Sequence, residues 1–359
     1  MLMRARGFSL VEFMIAMTIG LFLIAGLVYL IAETSRSRAE IERSSRQIEN
    51  GRYALDRIAE DLRHAGFYGE YFSVPSAGEA GFPASLTAAS PCGTTLAALV
   101  AGMPLAIQAY DGGVSVPSDL TGCIAAADYQ ANTDILVVRR ASTSTIAKTE
   151  PLAPGGARYS NQPYIQTTPV DYKLDFGSGV GTFTLTLPSA NTTATYDAPL
   201  HRYIVRIYFI SRCNVPSSGV ASAPCDNNAD GGSPIPTLKM MELGINPGTG
   251  ATEFQKIALA EGIEHLQFDF GIDTTGDGVA DVVSQCTTGA PCTAIDFSNV
   301  VTVQVNIVAR NTEASPAYYD DKTYSLGLAP PYTPAPNDHY RRHAYSALVR
   351  LNNIAMRRD

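Results

Sequence analysis

The sequence has little charge. Only 17% of its 359 residues are Asp, Glu, Lys or Arg, and the balance is −8 rather than basic. An acidic chain of this kind gives little support to a nucleic-acid-binding body, whose phosphate contacts need clustered Lys and Arg. It has no G-x-S-x-G elbow, no Walker A loop and no H-E-x-x-H helix. No C-x-x-C occurs, so the six cysteines do not read as a zinc or redox motif. No internal repeat is present, which excludes a solenoid. Thirty Gly and 22 Pro among 45% hydrophobic residues exclude a collagen-like or wholly disordered chain. No catalytic constellation remains, and the expectation is a protein that is not an enzyme.

What is present is strongly uneven. The first seven residues contain Arg4 and Arg6 and no acid; from Phe8 to Ala32 the single charge is Glu12. As a helix, Phe8–Ala32 extends about 37 Å, enough for the ~30 Å hydrocarbon core of a bilayer. Positive charge on its N-terminal side predicts that the rest of the chain faces outward. A cleaved secretory signal is the competing reading, but its apolar run is shorter and ends at a small-residue cleavage site. Here Ala32 leads directly into a charged helix. Glu12 is the anomaly, because a carboxylate in a membrane span costs on the order of a few kcal/mol unless it is paired.

The residues around it, Gly7-Phe8-Ser9-Leu10-Val11-Glu12, resemble the type IV prepilin signal: a Gly, then Phe, then Glu at the fifth mature position. The resemblance implies cleavage after Gly7 by prepilin peptidase on the cytoplasmic side, N-methylation of Phe8, and pairing of Glu12 with the Phe8 amine of a neighbouring subunit. Such pairing accounts for a tolerated buried acid.

The helical pattern continues. Residues 33–66 contain no Pro and one internal Gly, Gly51, and Ile41, Ile48, Leu55 and Leu62 recur every seven residues. Ala54, Ile58 and Ala65 widen this into an apolar face. Seven acids and seven Arg lie between, with Glu42–Arg46 and Glu49–Arg52 at helix-pair spacing. One helix from Phe8 to about Ala65 would be ~87 Å long. A free coiled-coil dimer is the alternative reading of the heptads. Arg63-His64-Ala65-Gly66-Phe67 closes the helix and resembles the corresponding segment of PilW-type minor pilins and J-type pseudopilins; His64 reads as a helix-end residue.

Residues 67–359 carry a charge of −9 and read as β-rich. Strands are expected over 134–140, 182–187, 201–210, 300–310 and 344–351. Val301, Val303, Val305 and Ile307 share one face of the fourth, with Thr302, Gln304 and Asn306 on the other. Stretches 73–120, 142–180, 212–237 and 311–338 read as long surface loops. The segment Leu259–Asp273, with a helical or turn element leading into a strand, resembles PilW-like proteins, as do 299–311 and the Arg341-Arg342…Asn352-Asn353 ending. The expected fold is α+β and pilin-like: a long N-terminal helix, half membrane span and half amphipathic, packed on an antiparallel β-sheet head with disulfide-bearing loops. The expected divisions are 1–7 (leader), 8–32 (span and filament core), 33–66 (amphipathic half) and 67–359 (head).

The cysteines fall as three local pairs, Cys92/Cys123, Cys213/Cys225 and Cys286/Cys292, beyond the span and so in an oxidising compartment. Three short-loop disulfides are the reading, although six cysteines permit 15 connectivities. Asp273, Thr275, Asp277 and Asp281, with the Val279 carbonyl, follow part of a calcium-loop pattern, with Gly278 at the sixth position; the twelfth is Ser284 rather than Glu. Calcium is the one candidate ion; a polar Asp-Gly turn is the plainer reading. Asp226-Asn-Asn228-Ala-Asp230-Gly231 is a weaker second match. His339 and His343 have metal-like spacing but precede a strand; Gly177, Gly179 and Gly181 read as a turn, and Asn191 as loop.

Together the resemblances imply a minor pilin of a type IV pilus, acting in assembly at or near the filament tip, with pilus-dependent motility and adhesion downstream. Expected partners are other minor pilins, the major pilin, prepilin peptidase, the inner-membrane assembly platform and the membrane itself, with no nucleic acid. The chain would cross the inner membrane once, hold its head in the periplasm, and pass into the extracellular pilus. A type II secretion pseudopilin, or a pilus-borne adhesin or DNA-uptake receptor, are the alternatives.

Overall fold

A computed structural model describes residues 9–71, 90–153, 156, 158–189, 193–287, 289–316 and 318–356. The chain divides into two compact units, residues 1–46 and 47–359. Helix α1 runs from Leu10 to His64. Its first part forms the described portion of the first unit, where Leu10 to Ile31 present their large apolar side chains outward. Thr18 and Thr34 return their hydroxyls to carbonyls of the preceding turn, so neither polar group is left unsatisfied in an apolar setting.

The second unit is built from two antiparallel sheets. The seven-stranded one contains β1 (Ile107–Tyr110), β2 (Ile135–Ile146), β3 (Pro163–Thr167), β4 (Tyr172–Phe176), β7 (Leu200–Ser211), β8 (Thr237–Ile245) and β9 (Thr252–Glu261). Between β4 and β7 a separate hairpin pairs β5 (Thr186–Pro188) with β6 (Thr195–Asp197). The long β7 is central. One edge pairs with β2, and the other is shared by β3 at Leu200–Arg202 and β8 at Arg206–Ser211. The second sheet has the order β11 (Val282–Ser284), β10 (Ile263–Ile272), β12 (Val300–Arg310), β15 (Arg342–Arg350). The β13 (Tyr324–Leu326) and β14 (Ala329–Tyr332) hairpin packs against Val308 on its outer side. Short helices α2 (Leu96–Gly102), α3 (Ala294–Ser298) and α4 (Asn352–Ala355) complete the unit.

Strand alternation assigns the cores. Leu136, Val138, Tyr208 and Ile210 from the first sheet, and Phe268, Val303, Val305 and Ile307 from the second, converge on Ala54, Ile58 and Leu62 of α1. The intervening residues Val137, Val205, Ile207 and Phe209 face the opposite way, onto Leu99 and Met103 of the α2 layer. The C-terminal half of α1 is thus the shared core element of both sheets, each fully buried Leu, Ile or Phe contributing roughly 1.5–3 kcal/mol.

The chain passes from one sheet to the other at a single residue, Gly262, between β9 and β10. Its φ is +77°, and a Cβ there would stand 2.5 Å from the Arg310 carbonyl oxygen. Its own N–H donates to Pro236 and its carbonyl accepts from Arg310, both at 2.7 Å. Gly262→Ala is expected to lower the melting temperature by several degrees through left-handed strain and this collision; an unchanged melting curve would contradict it. No helical element precedes β10, so of the two forms expected for that segment, the turn is the one present.

Other expectations shift. The strand expected over 182–187 is only Thr186–Pro188, because a 3-10 turn over Val180–Thr182 drops Phe183 into a buried cluster with Tyr164 and Leu200. Two stretches read as loops, 73–120 and 142–180, contain α2, β1, β3 and β4, and a third, 311–338, contains β13 and β14. Strand β8 was not foreseen, since Lys239 and Glu242 interrupt its apolar run.

Candidate assembly site

The N-terminal end of α1 is closed locally. Glu12 Oε2 accepts the Ser9 backbone N–H at 2.9 Å, and Ser9 Oγ accepts the N–H of Val11 at 3.2 Å. This is half of a capping box: the acid three positions later takes the amide of the residue ahead of the helix, while that residue's hydroxyl takes the amide of Val11 instead of the acid's own. The Ser-x-x-Glu spacing is the sequence signal for this cap. Glu12 therefore has a structural task within one chain. Gly7 and Phe8 lie outside the described residues. The helix that Glu12 opens is long and apolar enough to cross a membrane.

At the other end, α1 terminates on Gly66, whose φ is +72° and whose N–H donates to the Arg139 carbonyl at 3.0 Å. Asn353 Nδ2 reaches back from α4 to the Ala65 carbonyl at 3.2 Å and the Arg63 carbonyl at 3.4 Å. Asn353 thus satisfies carbonyls that a helix end leaves open. His64 Nδ1 lies 2.8 Å from the Glu60 carbonyl, a helix-end contact. Earlier along the helix, Gln47 donates to the carbonyls of Ala309 and Arg341, and a Cβ on Gly51 would collide with the ring of Tyr345.

The strongest attachment is ionic. Asp61 is fully buried on the inward face of α1. Arg206 Nη1 donates to both its oxygens at 2.6 and 2.9 Å, Arg140 Nε donates at 3.1 Å, and the Tyr208 hydroxyl also donates to it. Burial alone would raise the Asp61 carboxyl, but Arg206, with Tyr208 and Arg140, holds it below the usual carboxylate range. Arg206 Nε continues to Glu242 at 2.8 Å. Asp61 is one of the seven acids that balance seven Arg along residues 33–66. Its place three residues after Ile58 and seven after Ala54 puts it on the apolar face, and Arg206 interrupts an apolar run in β7; both were signals.

A second buried network lies in the other sheet. Arg342, with its side chain fully shielded, donates to Glu264, to Asp320 at 3.1 Å and to Asp338 at 2.8 Å. Tyr324 donates to Asp320. Removing Arg342 would leave three carboxylates crowded in a low-dielectric pocket. Arg342→Met is expected to destabilise the body by roughly 3–5 kcal/mol, read as a fall in the denaturant midpoint; a midpoint within error of the wild type would contradict it.

The three disulfides join Cys92 to Cys123, Cys213 to Cys225 and Cys286 to Cys292. The loop considered for calcium is organised by its own backbone. Asp273 is buried and accepts from Gly276 at 2.6 Å, Gly278 at 2.9 Å and Thr275 at 3.1 Å. Asp281 accepts from Thr274 and Thr275, and Asp277 from Val279, whose side chain is exposed. Among the described residues no group of three or more His, Cys, Asp or Glu could hold a metal. Because amides already engage these carboxylates, chelation by EDTA is expected to leave the melting temperature unchanged; a calcium-dependent rise would contradict this. In the second run, Asp230 accepts from Asn214, Val215 and Ile235. His339 points to the Tyr318 carbonyl, while His343 packs on Tyr345. Gly179 lies over the Asp175 carboxylate, and Asn191 is outside the described residues.

An α+β body built around the end of a helix, whose other half is apolar and membrane-length, agrees with two family-model matches that support a type IV pilus-related, pilin-like protein. Residues 225–353 match the family model for the type IV pilus-assembly protein W, and residues 2–28 match the prokaryotic N-terminal methylation motif. The chain is PilW-like over the first of these segments and carries the prepilin-type motif over the second. No curated protein and no solved structure matches it. The PilW-like segment contains β8 to β15, and with them the whole second sheet, the Arg342 network and Asn353.

Proposed function

We propose that the chain is a minor pilin that takes part in type IV pilus assembly. In this reading prepilin peptidase cleaves after Gly7 and Phe8 is N-methylated. Residues 8–32 hold the subunit in the inner membrane, with the head in the periplasm, until it is drawn into the filament. Glu12 then sets register against the Phe8 amine of a neighbour. The supporting observation is the combination, in one chain, of the PilW-like segment and an apolar helix opened by Glu12. Other minor pilins and the major pilin are its partners, and the low-copy tip complex is its place. Co-purification from detergent-solubilised membranes tests the assignment: minor pilins of a type IV pilus are expected to accompany the chain. Recovery of secretion pseudopilins in their place would overturn it.

A further inference from the structure

Strand β15 is a long edge of the second sheet with an open row of backbone groups. All nine of its residues, Arg342–Arg350, pair with β12 in one unbroken register. Among the described residues no strand pairs with its other side. The ladder fixes which groups face outward. The Leu351 N–H donates to the Val301 carbonyl, and the Asn311 N–H donates to the Arg341 carbonyl. Odd-numbered residues of β15 therefore bond to β12, because hydrogen-bonded pairs alternate along an antiparallel ladder. The even-numbered ones turn their amides and carbonyls away from it. At the start of this outward row, the Arg342 carbonyl accepts from the Tyr324 hydroxyl at 3.4 Å. Among the described residues the backbone groups of Ala344, Ser346 and Leu348 have no partner.

Native sheets blunt such edges with short strands, Pro, bulges or charges that point inward. The other edges of the two sheets obey this rule. Strands β1, β4 and β11 have 4, 5 and 3 residues, and β9 turns Lys256 inward onto the buried Asp128. Strand β15 has no Pro and no register shift, and its centre, Ala344-Tyr-Ser-Ala-Leu-Val349, is uncharged. Leu348 stands 69% exposed there. An edge of this kind is a template for another strand, which would bond to it through the backbone. The surrounding sequence sets the sign of that strand. Arg341 and Arg350, both exposed, bracket the centre, and no acid occurs from 339 to 358 in a chain that is acidic overall. A second copy paired about Ser346 would set Arg342 opposite Arg350 at both ends, and like charges directly opposite are destabilising. A strand with acidic ends meets opposite charge instead.

We propose that β15 accepts an extended segment of another protein as an additional strand, one with an uncharged β-forming centre and acids at its ends. Ala344, Ser346 and Leu348 supply the backbone hydrogen bonds, and the Leu348 side chain supplies an apolar contact. The test is fluorescence anisotropy of the detergent-solubilised full chain with the labelled peptide acetyl-Glu-Thr-Val-Thr-Val-Thr-Val-Thr-Glu-amide, using the same peptide with Lys at both ends as control. Saturable binding is expected for the Glu-ended peptide, at least tenfold tighter than for the Lys-ended one. Leu348→Pro removes an outward N–H that takes no part in the β12 ladder, so the melting curve of a folded chain is expected to remain while binding weakens at least tenfold. Leu348→Asp keeps that N–H but places a like charge before the acidic peptide at an exposed position, and is expected to weaken binding at least tenfold without unfolding. The proposal is overturned if the Glu-ended peptide does not bind, if the Lys-ended peptide binds equally well, or if either variant, folded, binds like the wild type. Sedimentation of the chain without peptide tests the other occupant: a dimer that Leu348→Pro converts to monomer would make a second copy the partner and overturn the proposal.

Discussion

Replacing Glu12 by Gln is expected to remove the chain from pili while leaving its helix intact. The two roles of this residue separate in that substitution. A Gln oxygen still accepts the Ser9 N–H, so the cap survives. What is lost is the negative charge, and with it the proposed pairing to a neighbouring amine inside an apolar bundle. Breaking a buried ion pair by removing one partner costs roughly 3–5 kcal/mol, which lowers an incorporation equilibrium by a factor of about 100 or more. Ser9→Ala is the control. It removes the Oγ cap on Val11, costs about 1 kcal/mol, and is expected to leave incorporation near the wild-type level. A quantitative blot of sheared filaments reads both. Glu12→Gln filaments containing the chain at wild-type amounts would reduce Glu12 to a helix cap and dismiss the register role.

The second large effect concerns Asp61. Asp61→Asn leaves Arg206 and Arg140 facing a neutral amide within a closed interior, and is expected to destabilise the body by roughly 3–5 kcal/mol. The difference from wild type should itself depend on pH. The folded-state carboxyl is held below its unfolded value, so its contribution is complete above the unfolded pKa of about 4 and is lost as pH falls through the lower folded value. Denaturant titrations at pH 7 and in strong acid should show the gap between wild type and variant narrowing at the acid end. A gap below about 1 kcal/mol at pH 7 would mean that the network behaves like a surface ion pair, which its burial denies.

The legible parts of the sequence were those governed by simple periodicity or by a local motif. The apolar run, the Ala54–Ile58–Leu62 face of α1, the Gly66 stop and the alternation of β12 each follow from neighbouring residues alone, whereas Ile41 and Ile48 of the heptad stripe are exposed. The path of the seven-stranded sheet did not, because β7 draws its partners from chain positions far apart on both sides, and β1, β3 and β4 are too short to carry a pattern. The polar interior was hidden for a different reason. A charge on an amphipathic helix reads as solvated until the strand that supplies its partner is known. Asp61 needed Arg206, 145 positions away, and Glu264 needed Arg342. At the candidate assembly site the acid stands out because it is the single charge in an apolar run, whereas Ser9, its partner in the folded chain, is an unremarkable residue until the helix start is known.

Processing of the chain and its passage into a filament are the central proposed steps. Mass analysis of the N terminus of the chain recovered from sheared pili tests them directly. The expected species begins at N-methylated Phe8, lacking the seven residues Met1 to Gly7. A chain that still begins at Met1, or that is absent from sheared pili while present in the inner membrane, would contradict them.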